Sequence, residues 1–244
     1  MKRLLFALFL LPALTLAASA QQIDLGGLGQ ADGTTVGYII QMFGLLTVLS
    51  IAPGLLIMVT SFTRFVIAFS ILRSGMGLQS TPANLVLISL SLFMTFYVMS
   101  PAVDQAWNTG VKPLMNNEIT QDVAVERITT PFRDFMARNV RDKDFDLFAD
   151  LARERGATDL SKETVDLRVL VPAFMISEIR RGFEIGFLIV LPFLVIDLIV
   201  ATITMAMGMM MLPPTVISLP FKIMFFVLID GWNLLVGSLV RSFN

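Results

Sequence analysis

Three ionisable residues stand where charge is costly. Asp197, Lys222 and Asp230 lie inside two apolar runs that together occupy Pro172 to Trp232. A bare charge in hydrocarbon costs a few kcal/mol or more by insertion scales, so such residues are normally paired or functional. Two chemistries answer for the placement: a structural ion pair, or a proton relay. A relay needs further titratable neighbours, and Asp230 is the only other carboxylate in the long C-terminal apolar run. Pairing of Asp197 with Lys222 is therefore the favoured reading. With helix ends near Gly208 and Thr215, Asp197 lies about 16 Å along one arm and Lys222 about 10 Å along the other, at 1.5 Å rise per residue. A flexible lysine covers that offset, within one hairpin or between neighbouring subunits, and a true pair is expected to tolerate exchange of its two charges.

Between those charges stand Met209, Met210 and Met211, flanked by Gly208 and Pro213-Pro214. Two consecutive prolines cannot continue the incoming helix, which puts the methionines at or near a turn. Methionine is unbranched and adaptable, suited to closing around irregular contents; packing at a buried turn is the plainer use of the same residues. Upstream, at 100° per residue, Ile176, Ile179 and Phe183 share one helix face, while Ser177, Arg180, Arg181 and Glu184 gather on the other with Glu178 at its margin. These charges are spaced to neutralise one another in part, and they are candidates for subunit contacts or for a solvated face. Gly182 and Gly186 form a GxxxG pair on the same segment, which permits close helix approach.

Composition removes most other chemistry. The 244 residues are 55% hydrophobic and 15% charged, and the mean hydropathy of +0.77 places the chain in the membrane class. There is no cysteine and no histidine, so thiol chemistry, disulfides and imidazole catalysis are excluded. No GxSxG, HExxH or Walker A pattern occurs, and no cofactor or metal site is expected. The net charge of −1 carries no nucleic-acid footprint. Residues 101–170 hold 13 acidic and 10 basic side chains, 23 of the 37 charges, so one polar insertion separates two apolar regions.

The elements that position these residues follow in order. Residues 1–20 have a basic start, an apolar centre and Ala18-Ser19-Ala20, the form of a cleaved signal peptide of a bacterial envelope protein. Residues 21–100 contain the N-terminal hydrophobic helices: an apolar run from Gly37 that Pro53-Gly54 is expected to kink or split, a turn at Gly75, Gly77 and Pro82, and a shorter run from Leu85 to Ser100 ended by Pro101. Arg64 and Arg73 mark the far end of the first run and put that end in the cytoplasm by the positive-inside rule, leaving 101–170 on the periplasmic side. In that insertion Thr130-Pro131 reads as a helix start, with Phe132, Phe135, Met136 and Val140 on one face. A second amphipathic helix carries Phe145, Phe148, Leu151 and Ala152 and stops at Gly156. Residues 171–244 form a C-terminal helical hairpin. The fold class is all-α, of bent membrane-type hairpins with a small helical insertion.

The runs PAFMISEIRRGFEIGFLIVLPFLVIDLIVA, MGMMMLPP and FKIMFFVLIDGW, with TRFVIAFSILRSGMGLQSTPAN upstream, resemble the FliP family of the flagellar type III secretion export gate, whose injectisome counterpart is SctR. The resemblance implies a non-enzymatic pore subunit that forms a homo-pentamer and joins FliQ and FliR in a helical gate. It also implies association with FlhB, FlhA and a FliO-like assembly factor, with unfolded flagellar subunits as cargo. The implied location is the bacterial inner membrane, in the flagellar basal body, with much of the complex toward the periplasm. Met209, Met210 and Met211 would form a pore gasket, and hydrophobic segments need not each be a simple membrane span. The competing reading is a proton-coupled or small-solute transporter, suggested by Pro53-Gly54 and the intramembrane charges. Against it, the sequence has no duplicated halves.

Overall fold

The computed structural model describes residues 33–158, 160–162, 164–208 and 213–243. The chain divides into two units, Met1–Ile51 and Ala52–Asn244. The signal-peptide segment 1–20 and the Met209–Met211 turn lie outside the described residues. The described residues are helical without strands.

Helix α1 spans Gly33–Val59 without interruption at Pro53-Gly54. The expected break is displaced to Thr60-Ser61. There the Thr60 hydroxyl donates to the Leu56 carbonyl at 2.7 Å and accepts from the Phe62 amide at 3.4 Å. A proline costs a helix one donor, whereas a hydroxyl that serves both sides of a junction supplies an alternative to the next helical bond.

Helix α2, Phe62–Gly75, ends in a Schellman turn. The Leu78 amide bonds to the Arg73 carbonyl, the Gly77 amide bonds to the Ser74 carbonyl, and Gly77 takes φ +79°. Helix α3, Asn84–Ala106, passes through Pro101 instead of stopping there. Pro101 cannot donate to the Tyr97 carbonyl four residues back, and the Ser100 hydroxyl donates to that oxygen at 3.0 Å instead. A π-helical segment, Trp107–Val111, and the single turn α4, Lys112–Met115, complete the rod.

Helix α5 spans Gln121–Asn139 and also runs through its proline, so Thr130-Pro131 is not a helix start. Thr129 and Thr130 turn their hydroxyls back onto the Val125 and Glu126 carbonyls. Helix α6, Asp142–Arg153, buries Phe145 and Ala149 and leaves Leu151 exposed, so its apolar face is rotated from the expected one. It stops as expected at Gly156, which takes φ +86°. At its start the Lys162 ammonium donates to the Asp142 carboxylate and holds it below the usual carboxylate range.

Helix α7, Leu167–Ala206, is the longest of the described helices. Asp166 caps it by accepting from the Arg168 amide at 2.8 Å. Its 40 residues extend about 60 Å, twice what a ~30 Å hydrocarbon layer requires. Its first half packs with α3, α5 and α6 around Met99, Phe135, Met136, Phe145, Leu170 and Phe174. Its second half packs with α2, α8 (Pro214–Leu228) and α9 (Gly231–Arg241) around Phe65, Phe69, Leu72, Phe193, Phe226 and Leu235. Helices α8 and α9 meet at a 64° bend where Asp230 takes φ 52°, and Gly231 lies against the Phe226 ring. The bend returns the chain end to the junction of the two cores, with the Phe243 ring 5.6 Å from Phe65 and 5.9 Å from Phe135. Among the described residues, α7 and the rod Asn84–Met115 are each long and apolar enough to cross a membrane, and α8 with α9 makes a third such element if counted as one broken span.

Helices α2 and α7 run parallel in a fixed register. A Cβ placed on Gly182 would meet Ile67, one on Gly186 would meet Ile71, and one on Gly75 would meet Val190, each at 3.0 Å or less. The partners advance by four residues on both helices, so the GxxxG pair is the groove into which the α2 ridge fits. Ile71 is β-branched and stiff at its Cβ, which leaves a larger residue at 186 no room. Gly186→Val is therefore expected to destabilise the protein by about 1–3 kcal/mol through overpacking, read as a Tm lowered by several degrees in detergent. Gly44→Ala, where a Cβ meets nothing within 4 Å, should not lower Tm, since alanine is the better helix former.

Candidate functional site

The α2–α7 seam is closed at each end by a polar clamp, fully buried at the first and partly buried at the second. At the first, the Arg64 guanidinium meets the Glu178 carboxylate side by side. Nε donates to Oε2 at 3.0 Å and Nη2 donates to Oε1, the two-pronged geometry that makes arginine–carboxylate pairs strong. The remaining terminal nitrogen donates to the Ser242 carbonyl at 2.9 Å and to the Ser242 hydroxyl at 2.8 Å, while the guanidinium lies 3.6 Å from the centre of the Phe243 ring. Arg64 is 1% exposed and Glu178 0%. One side chain thus holds α2, α7 and the end of α9 together.

Four residues after Glu178 the seam begins at Gly182, and beyond Val190 it reaches the second clamp. The Lys222 ammonium lies 2.5 Å from Asp197 Oδ2 and donates to the Gly75 carbonyl at 3.1 Å. The Ser218 hydroxyl donates to Asp197 Oδ1 at 2.5 Å. Gly75 is the last residue of α2, and the Schellman turn leaves its carbonyl without a backbone partner, so the lysine caps the negative end of that helix as well as pairing with the carboxylate. The hairpin arms are level at this point. α7 ends at Ala206 and α8 begins at Pro214, which puts Asp197 about 13 Å and Lys222 about 12 Å from the turn.

The pair thus forms within one subunit. Glu178 is consumed by Arg64 inside the chain and offers no surface to a neighbour. Arg180, Arg181 and Glu184 remain exposed: Glu184 accepts from Arg180 Nε at 2.9 Å and lies 3.7 Å from Arg181 and 3.9 Å from Arg141. Asp230 joins neither clamp, and its carboxylate accepts from the Asn233 amide at 3.1 Å. Arg64 is no free topological anchor, because its charge is neutralised in the core; Arg73 donates to the Asn84 side chain and to the Pro82 carbonyl. A third buried polar contact joins the insertion to α7, where the Ser177 hydroxyl donates to Asp144 Oδ2 at 2.8 Å and accepts from the Arg141 amide at 3.1 Å. Sequence reading missed Arg64, Ser218, Gly75 and Asp144 as partners. A lone arginine amid TRFVIAF was the available signal that a buried carboxylate must exist.

The FliP family model matches residues 45–239. The chain is 70% identical to the flagellar biosynthetic protein FliP of Agrobacterium fabrum over 246 residues, covering all of both chains. It is 73% identical to that of Rhizobium meliloti over 212 residues, covering 87% of this chain and 86% of the relative. It is 46% identical to that of Bacillus subtilis over 213 residues, covering 87% of this chain and 96% of the relative.

The two clamps differ in how they should respond to substitution. Glu178→Gln or Arg64→Gln alone leaves a buried charge without its counter-charge and is expected to cost about 3–5 kcal/mol. The Arg64→Met, Glu178→Leu double variant should recover part of that loss in a thermal melt. At the second clamp, exchanging the charges puts a carboxylate at position 222 against the Gly75 carbonyl and the negative helix end. The Asp197→Lys, Lys222→Asp exchange is therefore expected to melt no higher than either single change, in contrast to the simple pairing rule. Asp197→Asn with Lys222→Met should melt above Lys222→Met alone.

Proposed function

This chain belongs to the FliP family, and from that premise we propose that it is a structural pore subunit of the flagellar type III protein export gate. In this reading it forms a homo-oligomer, a pentamer by family resemblance, and joins FliQ and FliR around a channel for unfolded flagellar subunits, with FlhA, FlhB and a FliO-like factor as associates. The complex stands in the bacterial inner membrane at the flagellar basal body and extends to the periplasmic side. The family is one of flagellar biosynthesis and not of enzymes, so the subunit supplies walls and a closure while the energy for export comes from elsewhere.

The observation that carries the reading is the α7–α8 hairpin. Its arms are tied by Asp197, Lys222 and Ser218, and the segment that joins them in the sequence contains Met209-Met210-Met211. A rigid pair of arms with an adaptable apolar tip is what a closure needs if it must seal around nothing and also around chains of varied side chains. The outer faces support assembly: α7 leaves Phe183, Phe187, Leu188, Leu194 and Leu198 exposed, an apolar surface that suits neighbouring helices or lipid. Arg180, Arg181 and Glu184 border that surface and are proposed to contact neighbouring subunits.

Purification from flagellated cells tests the assembly: the subunit should co-purify in several copies with FliQ and FliR. A monomer that alone gives saturable solute uptake in vesicles would instead favour the transporter reading. The gasket has its own test. Replacing Met209, Met210 and Met211 together by Ala should raise ion conductance of the closed channel while flagellin export persists, and unchanged conductance would remove the methionines from that role.

A further inference from the structure

We infer that the cavity between α3, α5 and the exposed charged turn of α7 is a binding site for the phosphate headgroup of an anionic phospholipid. The cavity has a volume of about 730 Å³, and Arg138, Arg181, Tyr97, Ser100 and Asn139 contribute its polar lining. Among the described residues that line it there is no Asp or Glu. Arg64 also borders it, but its charge is already cancelled by Glu178.

The positive charge is in surplus. Arg181 shares Glu184 with Arg180 and Arg141, so one carboxylate faces three guanidinium groups. Arg138 donates through Nε to the Asp134 carbonyl at 3.2 Å, and its two terminal nitrogens have no partner among the described residues. Asp134 does not line this cavity; it lines the adjoining cleft with Pro101, Ala137 and Arg138 itself, and makes no ion pair with that arginine among the described residues. Two arginines on different helices, each with donors to spare, match the oxygens of a phosphate diester, to which guanidinium groups bind through paired hydrogen bonds.

The surroundings select a lipid over a free ion. Phe93, Phe96 and Tyr97 of α3 are 74%, 66% and 70% exposed and lead away from the cavity along the apolar part of the helix. The charged turn Glu178–Glu184 gives way on α7 to the apolar run that starts at Ile185. The arginines therefore stand where both helices change from polar to apolar, the level at which headgroups and tyrosines gather. Basic pockets between membrane helices bind such headgroups, and the apolar face of α3 offers a path for the acyl chains.

The test uses the full chain, purified in its native oligomer in a neutral detergent, with phosphatidylglycerol, phosphatidylcholine and inorganic phosphate as separate probes. Native mass spectrometry should show phosphatidylglycerol retained in preference to phosphatidylcholine. Arg138→Gln with Arg181→Gln should weaken that retention about tenfold or more, in line with loss of charge-assisted hydrogen bonds. Both side chains are exposed within the chain, and the double variant should keep the wild-type helix content in the absence of lipid. Arg168→Gln, whose side chain is 92% exposed, serves as the charge control and should retain phosphatidylglycerol as the wild type does. Equal retention of the two lipids, or equal retention by wild type and double variant, overturns the inference. So does inorganic phosphate that protects as well as phosphatidylglycerol, which would make the ligand a free anion. Loss of the oligomer with lipid content unchanged also overturns it and assigns the cavity to an acidic side chain of a neighbouring copy.

Discussion

A buried guanidinium must be fully satisfied or the fold pays several kcal/mol, and this constraint governs how the helices of this chain meet. Arg64 is satisfied by a carboxylate on α7, a carbonyl and a hydroxyl at the end of α9, and a phenylalanine ring. Apolar helices attract one another without direction, so hydrophobic contact alone would let α2 slide along α7 by a turn. The pairing of Arg64 with Glu178 fixes the register, and the glycines at 182 and 186 then fall opposite Ile67 and Ile71. At the far end of the seam Lys222 meets Asp197 and the last carbonyl of α2. The ion pairs are thus best understood as registry devices, because their net contribution to stability is offset by the cost of desolvation.

This arrangement separates what is fixed from what is free. The polar clamps lie at the two ends of an α2–α7 seam, about 16 Å apart along α2, and the hairpin arms are tied at the second. Beyond that point the arms line an apolar groove with Val200, Ile203 and Ile217. In the proposed gate role a subunit must hold its position while its closure yields, and the described residues would supply the holding part.

Much of the fold was legible because hydropathy and helix period report burial directly. The hairpin, the Asp197–Lys222 pair, the close approach at Gly182 and Gly186 and the stop at Gly156 all follow from residue types. The prolines misled. Pro53 read as a break, Pro101 as an end and Pro131 as a start, and each lies inside a continuous helix. Near Pro101 and Pro131 hydroxyls bond back to helix carbonyls, a long-helix device that a local rule does not weigh. Arg64 and Glu178 misled for a different reason. Each carries an ordinary reading by itself, a topological anchor and a docking charge, and only a contact across more than a hundred residues makes them one feature. Which acid would find which base depended on the parallel register, and no local spacing encodes that.

The central claim is that α2 and α7 pair in register within one subunit and form the frame that carries the hairpin. The chain has no cysteine, so two introduced cysteines report on it without background. Built on the glycine, a Cβ at position 186 lies 2.9 Å from that of Ile71, close enough that modest relaxation reaches disulfide geometry. With Ile71→Cys and Gly186→Cys together, mild oxidation of the purified protein should produce a cross-link within the chain, so that the denatured protein migrates as a monomer and one internal peptide linkage appears on digestion. Cross-linked dimers in place of that product, or no cross-link at all, would contradict the account.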